Sequence, residues 1–377
     1  MLKLLIGGSP CTYWSIAQTK NRETVAEGMG WELFLNYRIA RDKYKPDYFL
    51  YENNKSMSPA IRAQITRELG LEPVLINSAL VSAQNRQRLY WVGKRNPDGT
   101  YNKVDIEQPK DKGILLRDIL ETNTGDTKTY PLCVAQRGRY TNKEDKTEQH
   151  YEARVDQKTN TLTTVQKDNL VAEPVRIGSI DQTSSSQAFR VYSPEGKSIT
   201  LCGNGGGAGG KTGLYATPIS EATGDRSETL RVYKVRDGKI RIDGREYPIK
   251  LADGFYIIRK LTVTECKRLQ TVPDTYTFPV SNAQAYKMLG NGWTVDVISH
   301  IMSHFDFGKE PVAVLSMYDG MSCGRIALEK LGVEVGRYYA TEIDKYAIKT
   351  TMHNYPDTIQ LGDAFAVRTD MFEGVLW

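Results

Sequence analysis

The chain has 377 residues, of which 40% are hydrophobic and 25% charged. That is ordinary globular composition, which excludes wholesale disorder and suggests two or three domains. A net charge of +5 with 50 Lys and Arg residues permits a polyanionic partner without demanding one. No stretch approaches the roughly 18 consecutive apolar residues of a membrane span, and the amino-terminal MLKLLIGGSPC carries no signal-peptide pattern. The five cysteines are odd in number and form no CxxC pair. This argues against a disulfide scaffold or a cysteine-rich zinc site and for a reduced, cytoplasmic protein.

Residues 1–95 alternate short apolar runs with helical patterns. LKLLIGG (2–8) reads as a buried strand ending in a Gly-Gly-Ser-Pro turn, and residues 23–43 read as a helix with basic residues at its end. A strand follows at 47–53. A helix is expected over 58–70, with Ser58 as cap, Pro59 in the first turn and Gly70 closing it. Two more strands are expected at 72–81 and 88–95. Such alternation predicts a mostly parallel α/β sheet.

From 96 to 258 the chain is rich in Thr, Gly, Asn, Lys and Arg, and reads as a β-rich second domain. Residues 158–175 and 197–219 form a weak repeat. Asp-Gly pairs within 231–251 signal hairpins. Gly205, Gly210, Lys211 and Thr212 satisfy the letters of a phosphate-binding loop, but no helix pattern follows, so nucleotide hydrolysis is not expected. The Lys and Arg residues along 128–167 and 226–250 read equally as phosphate partners or as solubilising charge. Helical patterns return at 262–274 and 283–305. A short linker (306–311) leads to a new α/β unit at 312–377, with strands at 312–320, 336–344 and 359–364 and a helix at 322–332.

Three groups of residues suggest chemistry. In the carboxyl-terminal unit a strand runs into Asp319-Gly320-Met321-Ser322-Cys323-Gly324 and a helix, a turn that lets backbone approach a ligand. Glu342 ends the next strand and is placed to hold the hydroxyls of a ribose; Asp363 ends the third and could meet an adenine amino group. In the amino-terminal unit Cys11 follows Ser9-Pro10 at a strand exit, as a nucleophile would, although a lone cysteine is more commonly structural. Glu52 ends the neighbouring strand and can face the same crevice. Gln84, Arg86 and Arg88 lie on one side of an extended segment; alone they would read as a solvated basic edge.

Together, Gly8-Ser9-Pro10-Cys11, Glu52-Asn53, Gln84-x-Arg86-x-Arg88, the TxxExxRLQxxPD pattern at 262–274 and Gly290-Asn291 with Val295 resemble the ordered motifs of DNA cytosine-5 methyltransferases. The wording around 290–295 and 318–322 is most similar to the phage-encoded and de novo (type 3) members. The resemblance covers roughly 1–95 and 259–377. It implies a Rossmann-like S-adenosylmethionine-dependent methyltransferase fold with a smaller β-rich target-recognition domain at 96–258. The cofactor unit, which normally opens the family's sequence, comes last here, so the resemblance implies a circularly permuted order.

It also implies roles. Cys11 attacks carbon 6 of cytosine, Glu52 shares a proton at ring nitrogen 3, Arg86 holds the exocyclic oxygen, and Arg88 supports the loop or a phosphate. Pro10, Asn291, Trp293, Tyr318, Asp319, Gly320, Met321, Ser322, Cys323, Glu342, Ile343, Asp363 and Ala364 would line the S-adenosylmethionine site, with Cys323 mainly a packing residue. The implied partner is double-stranded DNA, with the target base flipped out of the stack. The four histidines show no metal-ligand spacing and no metal is expected. A monomer is expected, with dimers left open. An RNA cytosine-5 methyltransferase and a catalytically silent DNA-binding protein are the competing readings. Amino-methylating enzymes are disfavoured, because no Asp/Asn/Ser-Pro-Pro-aromatic sequence occurs.

Overall fold

The structure, a computed structural model, describes residues 1–15, 22–121, 133–140, 147–154, 176–179, 190–193, 196–201, 214–218, 232–242, 244–249, 251–259 and 261–372. The chain divides into two compact units. The first comprises residues 1–82, 86–112 and 267–377, and the second residues 83–85 and 113–266.

The first unit opens with strand β1 (Leu2–Gly7), helix α1 (Met29–Tyr44), β2 (Tyr48–Asn54), α2 (Pro59–Leu69), β3 (Val74–Asn77), β4 (Gln87–Arg95) and β5 (Tyr101–Lys103). Helix α2 forms where its local signals place it. Ser58 Oγ accepts the Ile61 N–H, Pro59 occupies the first turn, and Gly70 closes the helix at φ 74°. Its Ile61, Ile65 and Leu69 recur every fourth residue and are buried. Helix α1 starts at Met29, six residues after the 23–43 pattern begins. The cause is Glu23, which turns back to accept the Trp14 Nε1–H (2.8 Å) and the Gly30 N–H (3.1 Å) and so holds the preceding segment outside the helix. Strand β3 ends at Asn77, short of the expected 81, because the Asn77 side chain accepts the Ala79 N–H and starts a 3-10 turn.

In the second unit, β6 (Cys133–Tyr140) and β7 (Thr147–Arg154) form an antiparallel pair. The strands β8 (Arg176–Ser179), β9 (Arg190–Tyr192), β10 (Leu214–Pro218), β11 (Val232–Arg236), β12 (Lys239–Ile242), β13 (Arg245–Pro248) and β14 (Gly254–Arg259) make a seven-stranded sheet. Its order is β13-β12-β11-β14-β10-β9-β8, over a core of Ile177, Val191, Ala216, Val235, Ile240 and Ile249. Asp237 and Gly238, both with positive φ, make the tight β11–β12 hairpin that the Asp-Gly signal predicts. Most of the 158–175 and 197–219 repeat, and the Gly205–Thr212 stretch with it, lies outside the described residues.

The chain returns through α3 (Val263–Leu269), α4 (Asn282–Asn291) and α5 (Val295–Met302), then β15 (Val312–Met317), α6 (Cys323–Lys330), β16 (Val335–Thr341), α7 (Lys345–Asn354) and β17 (Ile359–Gly362). The helical pattern at 283–305 is broken into α4 and α5. Gly292 is extended (ψ 167°), and its carbonyl accepts from Arg86 Nη2 and Gln270 Nε2 instead of a helical N–H.

The main sheet of the first unit has the order β17-β16-β15-β1-β2-β4-β3, with β5 on β4. Strands β17 through β2 are parallel, whereas β4 runs antiparallel to both β2 and β3. The register β1–β15 runs from Leu2↔Val312 to Gly7↔Met317. The loop after Gly7 and the turn after Met317 therefore leave the sheet side by side. Parallel strands buried on both faces read as continuous apolar runs; Leu4, Leu5, Ile6, Val312, Ala313, Val314 and Leu315 are all fully buried.

Candidate active site

The loop after β1 is tied to β2 by a buried polar cluster. Ser9 Oγ and the Tyr51 hydroxyl lie 2.7 Å apart, and Asn53 Nδ2 donates to the Ser9 carbonyl (3.1 Å) and to the Tyr51 hydroxyl (3.2 Å). Burial in the sheet pushes the Tyr51 phenol well above its ordinary pKa, so it stays a neutral hydrogen-bonding group. Pro10 follows, exposed, and Cys11 begins a 3-10 turn, Cys11–Tyr13. The Cys11 side chain lies outside the described residues. Gly8 allows the loop to pass close to β2: a Cβ there would stand 2.8 Å from the Glu52 carbonyl oxygen and 3.0 Å from Glu52 Oε2.

Glu52 is only 8% exposed. Both its oxygens accept from donors: Oε1 from Arg88 Nε at 3.1 Å and Oε2 from Trp293 Nε1 at 3.0 Å. A buried carboxylate needs such partners, because desolvation without them would cost several kcal/mol. The contacts separate the two arginines. Arg86, 4% exposed, donates through Nη2 to the carbonyls of Gly292 (2.9 Å) and Gly290 (3.2 Å) and so braces the 290–294 segment, while Arg88 makes the ion pair with Glu52. Gln84 falls in the second unit, bridging to Ser198 and accepting the Leu201 N–H. Arg86 and Arg88, two positions apart in the chain, thus reach different partners.

The turn after β15 is conformationally strained. Tyr318 (φ 60°) and Ser322 (φ 58°) are left-handed although neither is glycine, and Gly320 (φ 60°) lies between them. Bonds on every side hold it: Tyr318 Oη donates to the Leu33 carbonyl, Tyr276 Oη to the Met321 carbonyl, and the Gly320 N–H to Glu342 Oε2 at 2.8 Å. The other oxygen of Glu342 accepts the N–H groups of Ile343 and Asp344.

Of the residues expected at a cofactor, Met321, Ser322, Cys323 and Ala364 are buried and build the turn and the core beneath it. Burial pushes the Cys323 thiol up to about 12, so it stays protonated. Asn291 is exposed at the end of α4. Glu342 is half-buried, Asp363 is exposed, and Ile343 is 77% exposed. Phe365, two residues after Asp363 and 53% exposed, is a further candidate that the sequence reading missed; a large apolar side chain set close behind a strand-end acid was the available signal. Open space lies where a Gly320 Cβ would be. Carboxylates beside exposed apolar side chains and an open glycine turn fit a nucleoside with its ribose and base.

Asp319 supports this turn from within. It accepts from the Tyr338 hydroxyl (2.8 Å) and from Ser322 Oγ. The residue keeps some solvent contact, yet burial of its carboxyl group outweighs those bonds and raises its pKa from 3.8 to about 6. The folded protein therefore holds this proton more tightly than the unfolded chain. The resulting stabilisation, about 3 kcal/mol, is complete below the unfolded value and is lost as pH rises through the folded one. Asp319→Asn should remove this dependence. Denaturant titrations are expected to show wild type losing up to about 3 kcal/mol relative to the Asn variant between roughly pH 4 and 7. A difference that does not vary with pH would refute it.

Among the described residues no group of His, Cys, Asp and Glu could hold a metal, and no helix is long and apolar enough to cross a membrane.

Parallel strands with a loop–helix turn at adjacent carboxyl ends, one bearing Pro-Cys and the other the strained glycine turn beside Glu342, define a Rossmann-like methyltransferase fold. The sequence model of the C-5 cytosine-specific DNA methylases matches residues 2–306. The orphan methyltransferase M.SPRI of Bacillus phage SPR is 27% identical over 361 residues, covering 79% of this chain and 81% of that protein. The type II methyltransferase M.HpaII of Haemophilus parainfluenzae is 25% identical over 307 residues, covering 78% and 69%. A solved Entamoeba histolytica methyltransferase has a TM-score of 0.44 at 14% identity, covering 80% of this chain and 76% of that one. The chain belongs to the C-5 cytosine-specific DNA methylase family and is a DNA methyltransferase.

Proposed function

We propose that the protein methylates carbon 5 of cytosine in double-stranded DNA at a specific sequence, through a covalent bond from Cys11 to carbon 6 of a flipped-out base. The observation that supports this reading most is the close approach of Gly8, where the loop to Pro10-Cys11 begins, to Glu52 on the neighbouring strand, with β1 paired to β15. Carbon 5 is a poor nucleophile until carbon 6 has been attacked. The Cys11 thiolate forms the sulfur–carbon 6 bond, the ring's electron pair moves toward nitrogen 3, and Glu52 shares a proton there. When carbon 5 later gives up its proton to a water molecule acting as base, the carbon 5–carbon 6 double bond re-forms, the carbon 6–sulfur bond breaks and Cys11 leaves as thiolate. Arg88, paired with Glu52, takes the exocyclic oxygen in place of Arg86, whose guanidinium is committed to the Gly290 and Gly292 carbonyls.

S-adenosylmethionine, when bound, supplies the methyl group. Glu342 would hold its ribose, Asp363 its adenine amino group, and Ile343 and Phe365 would cover the adenine faces. The second unit would read the DNA. Its exposed Lys234, Arg236, Lys239, Arg241 and Arg245 suit phosphate contacts, which fix register without carrying sequence information.

We infer a circularly permuted order. The family match ends at residue 306, whereas β15, β16 and β17, which carry the nucleoside-type cradle, come after it and complete the same sheet against β1. All the proposed catalytic groups lie in one unit of one chain, which supports action as a monomer; the phage and bacterial relatives support action in the cytoplasm of a bacterial or phage-infected cell.

Base-resolution cytosine-methylation sequencing of DNA from cells expressing the chain, with Cys11→Ser as control, tests the reading. Methylation at carbon 5 within one short motif, absent from the control, is expected. Transfer to RNA alone, or no transfer by a folded chain, would replace it by one of the two competing readings.

A further inference from the structure

The geometry points to Trp293 as a positioning residue for Glu52: its indole N–H selects which oxygen of that carboxyl group carries the proton given to the base. This inference rests on the proposed role of Glu52. The sequence reading places Trp293 against the cofactor, but the indole nitrogen lies 3.0 Å from Glu52 Oε2. The Cβ direction of Gly8 ends 3.0 Å from that same oxygen and 3.5 Å from the indole nitrogen, so carboxylate, indole and the Pro10-Cys11 loop converge on one point.

The segment that carries the indole is held on both sides of Trp293. The Gly290 and Gly292 carbonyls accept from Arg86, and the Gly292 carbonyl also accepts from Gln270 Nε2. Thr294 Oγ1 donates to Gln270 Oε1 (2.9 Å) and accepts from Ser78 Oγ (2.8 Å). The Trp293 backbone N–H points to the Cys323 thiol. Trp293 thereby spans from the turn after β15, through its main chain, to the base-side carboxylate, through its ring.

An indole N–H donates and cannot accept. A carboxyl OH oxygen accepts a hydrogen bond far more weakly than the C=O oxygen, so Oε2 is the disfavoured site for the proton while this bond persists. Oε1 is left. Its partner, Arg88 Nε, is also a pure donor, and a proton on Oε1 removes the charge that holds Arg88 there and favours its moving off. In the proposed mechanism Arg88 has somewhere to go, namely the exocyclic oxygen next to ring nitrogen 3. Entry of the base would then exchange the Arg88 bond for a proton taken up by Oε1 from solvent water, while the Trp293 bond holds the carboxyl plane still. The proton passes from Oε1 to ring nitrogen 3 as the Cys11–carbon 6 bond forms, and returns as that bond breaks.

Trp293→Phe keeps the ring bulk and removes the donor. A hydrogen bond to a charged group is worth enough that kcat should fall about tenfold or more. The equilibrium Kd for S-adenosylmethionine, measured by calorimetry, should stay within about twofold. In a Glu52→Gln background the same substitution should cost less than about twofold, because residues acting through one another are not additive. Trp293→His, which keeps a ring N–H with less apolar surface, should retain more of kcat than the Phe variant. A tenfold weaker cofactor Kd with kcat intact would return Trp293 to the cofactor and overturn the inference. So would an undiminished loss in the Glu52→Gln background, or a His variant worse than Phe. If Glu52→Gln alone keeps full activity, it is the proposed role of Glu52 that fails, and the inference falls with it.

Discussion

Cys11→Ala is expected to abolish transfer to carbon 5, lowering kcat by at least about 10⁴-fold, because the covalent route is lost and no second route exists at an unactivated ring carbon. No other described thiol can substitute. Cys266 and Cys323 are both buried, and burial holds both thiols protonated. Duplex DNA containing 5-fluorocytosine sharpens the test, since fluorine at carbon 5 blocks the final release of the cysteine. The wild-type chain should form a denaturation-resistant complex with it, and the Ala variant none. Binding of unmodified duplex DNA should survive, because most of that affinity comes from phosphate contacts. Methyl transfer by the Ala variant above about one per cent of wild type would rule out Cys11 as the nucleophile.

Gly8→Ala should be the next most damaging change, with kcat falling about 100-fold. The added methyl would sit 2.8 Å from the Glu52 carbonyl oxygen, part of β2 and unable to yield, and 3.0 Å from Glu52 Oε2. The loop must shift instead, by several tenths of an ångström, and Cys11 stands three residues further along it. Displacement of a reacting group on that scale costs far more in rate than in stability; overpacking of this kind costs only about 1–3 kcal/mol of folding free energy. The cofactor Kd is expected to change less than about threefold, because Gly8 faces Glu52 rather than the turn after β15. Single-turnover rates at saturating cofactor, compared with thermal melts, separate the two effects. A Gly8→Ala variant with more than half the wild-type rate would show that this close approach does not place the nucleophile.

Local rules made much of this fold readable. Ser58, Pro59 and Gly70 bracket α2 within a dozen residues, and the apolar runs of β1, β2 and β15 declare themselves without reference to anything distant. The acids Glu52, within β2, and Glu342 and Asp363, just past β16 and β17, were readable for the same reason: a charged residue closing an apolar run has few places to go. What escaped depends on particular side-chain contacts, most of them to partners far away in sequence. The helix break at Gly292–Thr294 is made by Gln270 and by Arg86, about two hundred residues earlier. The late start of α1 is made by the Glu23 carboxylate, and no propensity anticipates it. Arg86 and Arg88 carry the same chemistry at the same period, and only the contacts show which braces a loop and which meets Glu52. The link from Trp293 to Glu52 spans 241 positions and leaves no local trace.

The pairing of β1 with β15 has a consequence for synthesis. Gly7 and Val312 lie about three hundred residues apart, so at roughly 5–20 residues per second the ribosome makes the second strand some 15–60 s after the first. During that interval β2 can cover one edge of β1, through Leu4↔Tyr48 to Gly7↔Tyr51, while the other edge has no native neighbour. That open edge carries Leu4, Leu5 and Ile6, an apolar template of the kind other chains add to. The nascent protein is therefore most vulnerable to misassociation before translation ends. Slowing elongation between β2 and β15 should lower the soluble yield without altering the finished enzyme.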